Sequence, residues 1–146
     1  MLSALKNIFT PKPKIARVPF VHATLGEFTY SGEEEAWLSD PSHGALGFRF
    51  HITGDEKPDP RLLPHAESVA RDPNAFRKMV GDFMENEACR MKQRAAVIRE
   101  LKIDMLCLFW PERPDDGMIY FTGGDSYGLW RCDYQNGKPI GLGYDS

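Results

Sequence analysis

The chain reads as an α+β domain: one antiparallel sheet of about six to seven strands with two to three helices packed on one face, in the order strands, helices, strands. Three observations predict it. Between Arg17 and Thr53 apolar side chains alternate with other residues at the two-residue period of a half-buried strand. Between Asp72 and Met91 they recur at helical spacing instead. From Lys102 onward the strand pattern returns, punctuated by Gly, Pro, Asn and Asp turns.

Residues 1–16 are set apart as an N-terminal segment and linker, and residues 17–146 form the single domain. Leu2, Leu5, Ile8 and Phe9 give the segment a short apolar pattern, which suits either a docking helix or a frayed end. It lacks the long apolar stretch and small-residue cleavage site of a signal peptide. Two prolines and two lysines in Thr10–Lys14 disfavour both helix and central strand.

Arg17–Tyr30 reads as extended, with Phe28 and Tyr30 sharing a face after Gly26. Ser31-Gly32 turns. Glu33, Glu34 and Glu35 make a solvated acidic edge, and Ala36–Leu38 is a short strand. After a turn at Asp40–Gly44, Ala45–Thr53 sets Leu46, Phe48, Phe50 and Ile52 against Gly47, Arg49 and His51. A short helix is expected within Leu62–Arg71, opening near Pro64.

The main helix is the best-defined element. Asp72 suits an N-cap, and Pro73 the first turn, where its missing N–H costs nothing. Phe76, Met79, Val80, Phe83, Met84, Ala88 and Met91 form one stripe, while Lys78, Asp82, Glu85, Cys89 and Lys92 face away. Glu87 interrupts the stripe, so it either sits at a wet margin or needs a cationic partner. Arg49 and Arg131 are the expected partners, and Glu87→Ala is then expected to destabilise more than Glu85→Ala. The basic tail Arg90, Lys92, Arg94 complements the helix dipole.

Ala95–Leu101 is a short helix or turn. Lys102–Trp110, apolar on both faces, is a central strand. Met118–Thr122 and Tyr127–Tyr134 follow. Asn136-Gly137 signals a tight hairpin, and Pro139 marks the closing strand, Pro139–Tyr144, as an edge.

With 146 residues the chain can build a core without staples. A net charge of −3 gives no general attraction to nucleic acid or to an anionic membrane. No apolar run is long enough to span a bilayer. The three cysteines, Cys89, Cys107 and Cys132, are widely spaced and include no CxxC pair, which fits a reduced, cytoplasmic protein. The four histidines have no HxH or HxxxH spacing, and no Walker loop or GxGxxG occurs, so neither a metal nor another cofactor is expected.

Gly124–Gly128 matches G-x-S-x-G around Ser126, but a strand pattern follows it rather than a helix, and no histidine lies after it. A glycine-rich turn accounts for it better. A small hydrolase using Ser126, or an acid–base site drawn from Glu87, His51 and Asp104, is the alternative function. The preferred site lies in the aromatic closing strands. Alternation places Tyr127, Leu129, Arg131 and Asp133 on one face, and Trp130, Cys132 and Tyr134 on the other. Tyr, Trp and Arg are what protein interfaces favour. Glu87, Tyr127, Trp130, Arg131, Asp133 and Tyr134 are therefore the candidate binding residues.

The early strands, the helix pair carrying Asn86-Glu87, the strand after Leu101-Lys102-Ile103, and the closing hairpin with Asp125 to Arg131 and Gly137 together resemble small uncharacterised bacterial α+β families. Some relatives of that kind are immunity proteins encoded beside toxins. Leu129 or Trp130 stands where those families often carry a histidine, and the resemblance implies no catalytic residue here. The expected function is non-enzymatic binding of another protein, as a bacterial immunity or regulatory partner. The partner would be a protein such as a toxin, with no nucleic acid and no membrane involved, and the chain itself a monomer or weak homodimer.

Overall fold

A computed structural model describes residues 17–123 and 128–145. Four strands come first: β1 (Phe20–His22), β2 (Gly26–Ser31), β3 (Ala36–Ser39) and β4 (Arg49–Ile52). Helices α1 (Leu63–Arg71), α2 (Pro73–Arg90) and α3 (Ala95–Glu100) follow, the last two joined by a 3-10 turn, Lys92–Arg94. Four more strands complete the fold: β5 (Lys102–Leu108), β6 (Gly117–Thr122), β7 (Leu129–Gln135) and β8 (Lys138–Asp145). The domain is α+β, but among the described residues its sheet has eight strands, more than expected, in the spatial order β1 to β8.

The extra strand comes from the first extended stretch, which is a hairpin. His22 Nδ1 accepts the backbone N–H of Thr24 and of Leu25, each at 3.1 Å, and Gly26 takes a left-handed φ of 81°. Since Nδ1 accepts, the ring proton sits on Nε2, which donates to Glu67 of α1 at 2.9 Å. The strand expected over Ala45–Thr53 shortens to Arg49–Ile52. Gly47, at φ 70°, breaks the extended run, and Arg77 of α2 donates to the carbonyls of Ala45 and Leu46.

The expected arrangement, two strand groups of one antiparallel sheet with a helix group between them, also needs correction. β4 and β5 pair in parallel, Arg49 opposite Met105 and His51 opposite Cys107, while every other neighbouring pair is antiparallel. The helices are therefore the crossover connection that two adjacent parallel strands require. They cover one face of the sheet.

Asp72 caps α2, accepting the N–H of Ala75 at 3.0 Å, with Pro73 in the first turn. Phe76, Val80, Met84 and Ala88 of α2 are buried, and Met79 and Phe83 pack against the same core. Opposite them lie Trp37, Phe48, Phe50, Ile52, Leu106, Leu108 and Ile119, in one continuous cluster. β5 is interior to the sheet, and β8, which carries Pro139, is an edge. No helix among the described residues is long and apolar enough to cross a membrane.

Candidate functional site

Strand register decides which side chains face away from the helices. One row runs Leu38, His51, Cys107, Met118 and Asp133 across β3 to β7. The next row runs Arg49, Met105, Tyr120 and Arg131 across β4 to β7. Among the described residues no helix lies over this face. Its centre holds a cleft of about 650 Å³, walled by His51, Asp104, Cys107, Tyr120 and Phe109, with Glu34 from the β2–β3 turn at its rim.

His51 is only 5% exposed although it belongs to this face. Phe109 meets its ring edge-on, with centroids 5.5 Å apart, and Glu34 Oε2 lies 3.6 Å from Nε2. Its Nδ1 is buried and has no hydrogen-bond partner among the described residues. Burial holds its pKa below the ordinary value, and the nearby Glu34 carboxylate only partly opposes this. His51 is thus a neutral imidazole at pH 7. Beside it Cys107 is fully buried. Burial pushes its thiol far up, and the charges of Glu34 and Asp104 add to the effect. A thiol held protonated in this way is not a nucleophile. The pair therefore shapes a wall and does not form a thiolate–imidazolium couple.

Charged groups on this face are paired around the cleft. Arg49 lies 3.9 Å from Asp104, and Arg131 donates from Nε to Asp145 at 2.7 Å and lies 3.8 Å from Asp133. Asp104 sits at a bulge between Ile103 and Met105, which breaks the alternation and turns its carboxylate toward Arg49. Among the described residues no group of three or more His, Cys, Asp or Glu side chains is placed to hold a metal ion.

The sequence candidates separate. Arg131 and Asp133 lie on the helix-free face, and β7 alternates as expected over Leu129–Gln135. Trp130 and Tyr134 point the other way and are 1% and 2% exposed, so they are core residues and not available for binding. A strand in a sheet covered on one face must give its large even-numbered side chains to the core, and these two fill it. Tyr127 and Ser126 lie outside the described residues. Glu87 is half-buried on α2 and pairs with Arg90 one turn on, with Nε–Oε2 at 2.8 Å. The expected pairing with Arg49 or Arg131 is overturned, because those arginines stand on the opposite face of the sheet. Of the alternative acid–base set, His51 and Asp104 share the cleft, while Glu87 is not among its walls.

Glu34, Cys107, Tyr120 and Phe109 are cleft residues that sequence reasoning did not select. The alternation of β4 and β6 carries part of that signal, through Arg49, His51 and Tyr120. The adjacency of His51 and Cys107 carries none, because it depends on a parallel pairing across the whole helical crossover.

A second polar array lies on the core side. Asp115 Oδ1 is 3.1 Å from His65 Nδ1, and His65 Nε2 is 2.7 Å from the Tyr134 hydroxyl. A carboxylate only accepts, so Nδ1 carries the ring proton and Nε2 accepts from the tyrosine. The Tyr134 hydroxyl is shielded from solvent and its pKa is pushed up by burial. The array ties α1 to β7 and to the β5–β6 loop. Comparison with family models, with characterised proteins and with solved structures finds no match to this chain.

Proposed function

We propose that the protein is a non-enzymatic binding module that takes up another protein on the helix-free face of its sheet, acting in the cytoplasm as an immunity-type or regulatory partner. The observation that carries this reading is the make-up of the face. Met105, Tyr120 and Phe109 line the cleft there, and Arg49, Met118 and Arg131 lie on the same face, with no helix over them among the described residues. Arg, Met and aromatic side chains are the types enriched at protein interfaces. The ion pairs around the cleft supply a polar rim that would set register and suppress wrong partners.

The experiment is affinity capture from the native cell with three baits. Wild type and the helix-face variant Lys78→Ala should retain the same partner, and Tyr120→Ala combined with Arg49→Glu should lose it while melting as a folded protein. A partner retained equally by all three, or a tightly held metabolite in its place, contradicts the proposal.

One observation favours a second reading. A neutral imidazole, His51, stands in a cleft with Glu34 beside it and Asp104 in the same wall, a set of groups that could move a proton. This reading is a hydrolase-type enzyme. An esterase and phosphatase screen in which wild type is active and His51→Gln is not would establish it over binding; Ser126→Ala would test the serine alternative in the same assay.

A further inference from the structure

The geometry points to a small-molecule site on the other side of the sheet, in a groove between α2, α3 and the starts of β4 and β5, that takes an anionic amphiphile: a carboxylate on an aliphatic body. The groove has a volume of about 580 Å³, within the range of clefts that hold small ligands. The groove is half open to solvent, and the packed side chains of Phe48, Val80, Met84 and Phe121 form its floor. Those walls are apolar.

Gly81 adds an independent observation. It lies in the interior of an 18-residue helix, where glycine is unfavourable relative to alanine. No close approach requires it there: a Cβ at that position would meet no atom within 4 Å. The bare position lines the groove and leaves it open.

The rim sets the charge of the occupant. Glu85 and Arg99 neutralise one another through a two-pronged contact, Nε to Oε2 at 3.1 Å and Nη2 to Oε1 at 2.9 Å. Arg77 and Lys102 remain. Among the described residues Arg77 donates only to neutral acceptors, Asn74 and the carbonyls of Ala45 and Leu46, and neither Arg77 nor Lys102 is in an ion pair. Two uncompensated cations over an apolar floor complement one anionic head on an apolar chain. This groove lies on the other side of the sheet from the cleft, with Phe121 lining both, and neither proposal depends on the other.

Equilibrium dialysis of the full chain with decanoate tests it, with decylammonium as the probe of equal length and opposite charge. Wild type should bind decanoate saturably, one per chain, with a Kd below about 1 mM. Decylammonium should bind at least about tenfold more weakly. Gly81→Leu fills the groove without changing charge and should lose at least about tenfold in decanoate affinity. Lys102→Glu, an exposed change that leaves the core alone, should lose at least about threefold. Absent saturation by wild type, equal binding of the two probes, or undiminished binding by Lys102→Glu would overturn the site. Should Gly81→Leu fail to fold, Lys102→Glu and the probe comparison decide.

Discussion

At the scale of single residues, two shielded histidines, His51 buried and His65 half-buried, make the sharpest predictions. His65 and His51 are both held below the ordinary histidine pKa, in each case mainly by burial. The folded chain therefore refuses a proton that the unfolded chain accepts. Stability from these groups is complete above the unfolded value of about 6.5 and is lost as the pH falls toward their lower folded values. An NMR titration should find both imidazoles titrating below about 6.5, and thermal melts should fall between pH 7.5 and pH 5. Titration of either at or above the free-histidine value contradicts the burial described. The Tyr134 hydroxyl is the only donor to His65 Nε2 among the described residues. Tyr134→Phe should cost about 1–3 kcal/mol by urea unfolding, because it leaves a shielded acceptor unpaired. Phe fills the same volume, so a near-neutral result would mean that water replaces the hydroxyl.

At the scale of elements, α2 shows both what sequence carries and where it stops. Its start, its cap and its buried stripe follow from Asp72-Pro73 and from the spacing of Phe76, Val80, Met84 and Ala88. Asp72→Ala should cost about 1 kcal/mol, measured by chemical denaturation. A loss under a few tenths would show that the cap is not holding the helix end. The fate of Glu87 was not legible. Helical periodicity gives its angle on the wheel but not the reach of Arg90, whose long side chain follows Glu87 to the margin of the stripe. Glu85, on the solvent face, instead ties α2 to α3 through Arg99. The partner of Glu87 thus differs from the one the wheel suggests, but Glu87 is much the more shielded of the two carboxylates, and Glu87→Ala should lower Tm more than Glu85→Ala. The strands divide similarly. β7 and β8 follow from alternation, Asn136-Gly137 and Pro139. The β1–β2 hairpin was hidden, because its turn is made by the imidazole of His22 accepting two N–H groups and not by a familiar turn sequence.

At the scale of the molecule, sequence specified the α+β class and one helix-covered face, and left the neighbours of each strand open. Parallel pairing of β4 with β5 is a long-range choice, and it is this pairing that sets His51 beside Cys107 and assembles the cleft. Half of the candidate site was visible as Arg131, Asp133, His51 and Asp104; the rest needed the strand order. We propose that a partner protein lands on the helix-free face. Hydroxyl-radical footprinting of the chain with and without its captured partner locates the contact. Met105, Met118 and Tyr120 on the helix-free face should lose labelling in the complex, while Met79 and Phe83 on α2 should label as in the free protein. Protection confined to α2, with Met105, Met118 and Tyr120 unchanged, would mean that the partner lands on the helices and not on the open sheet.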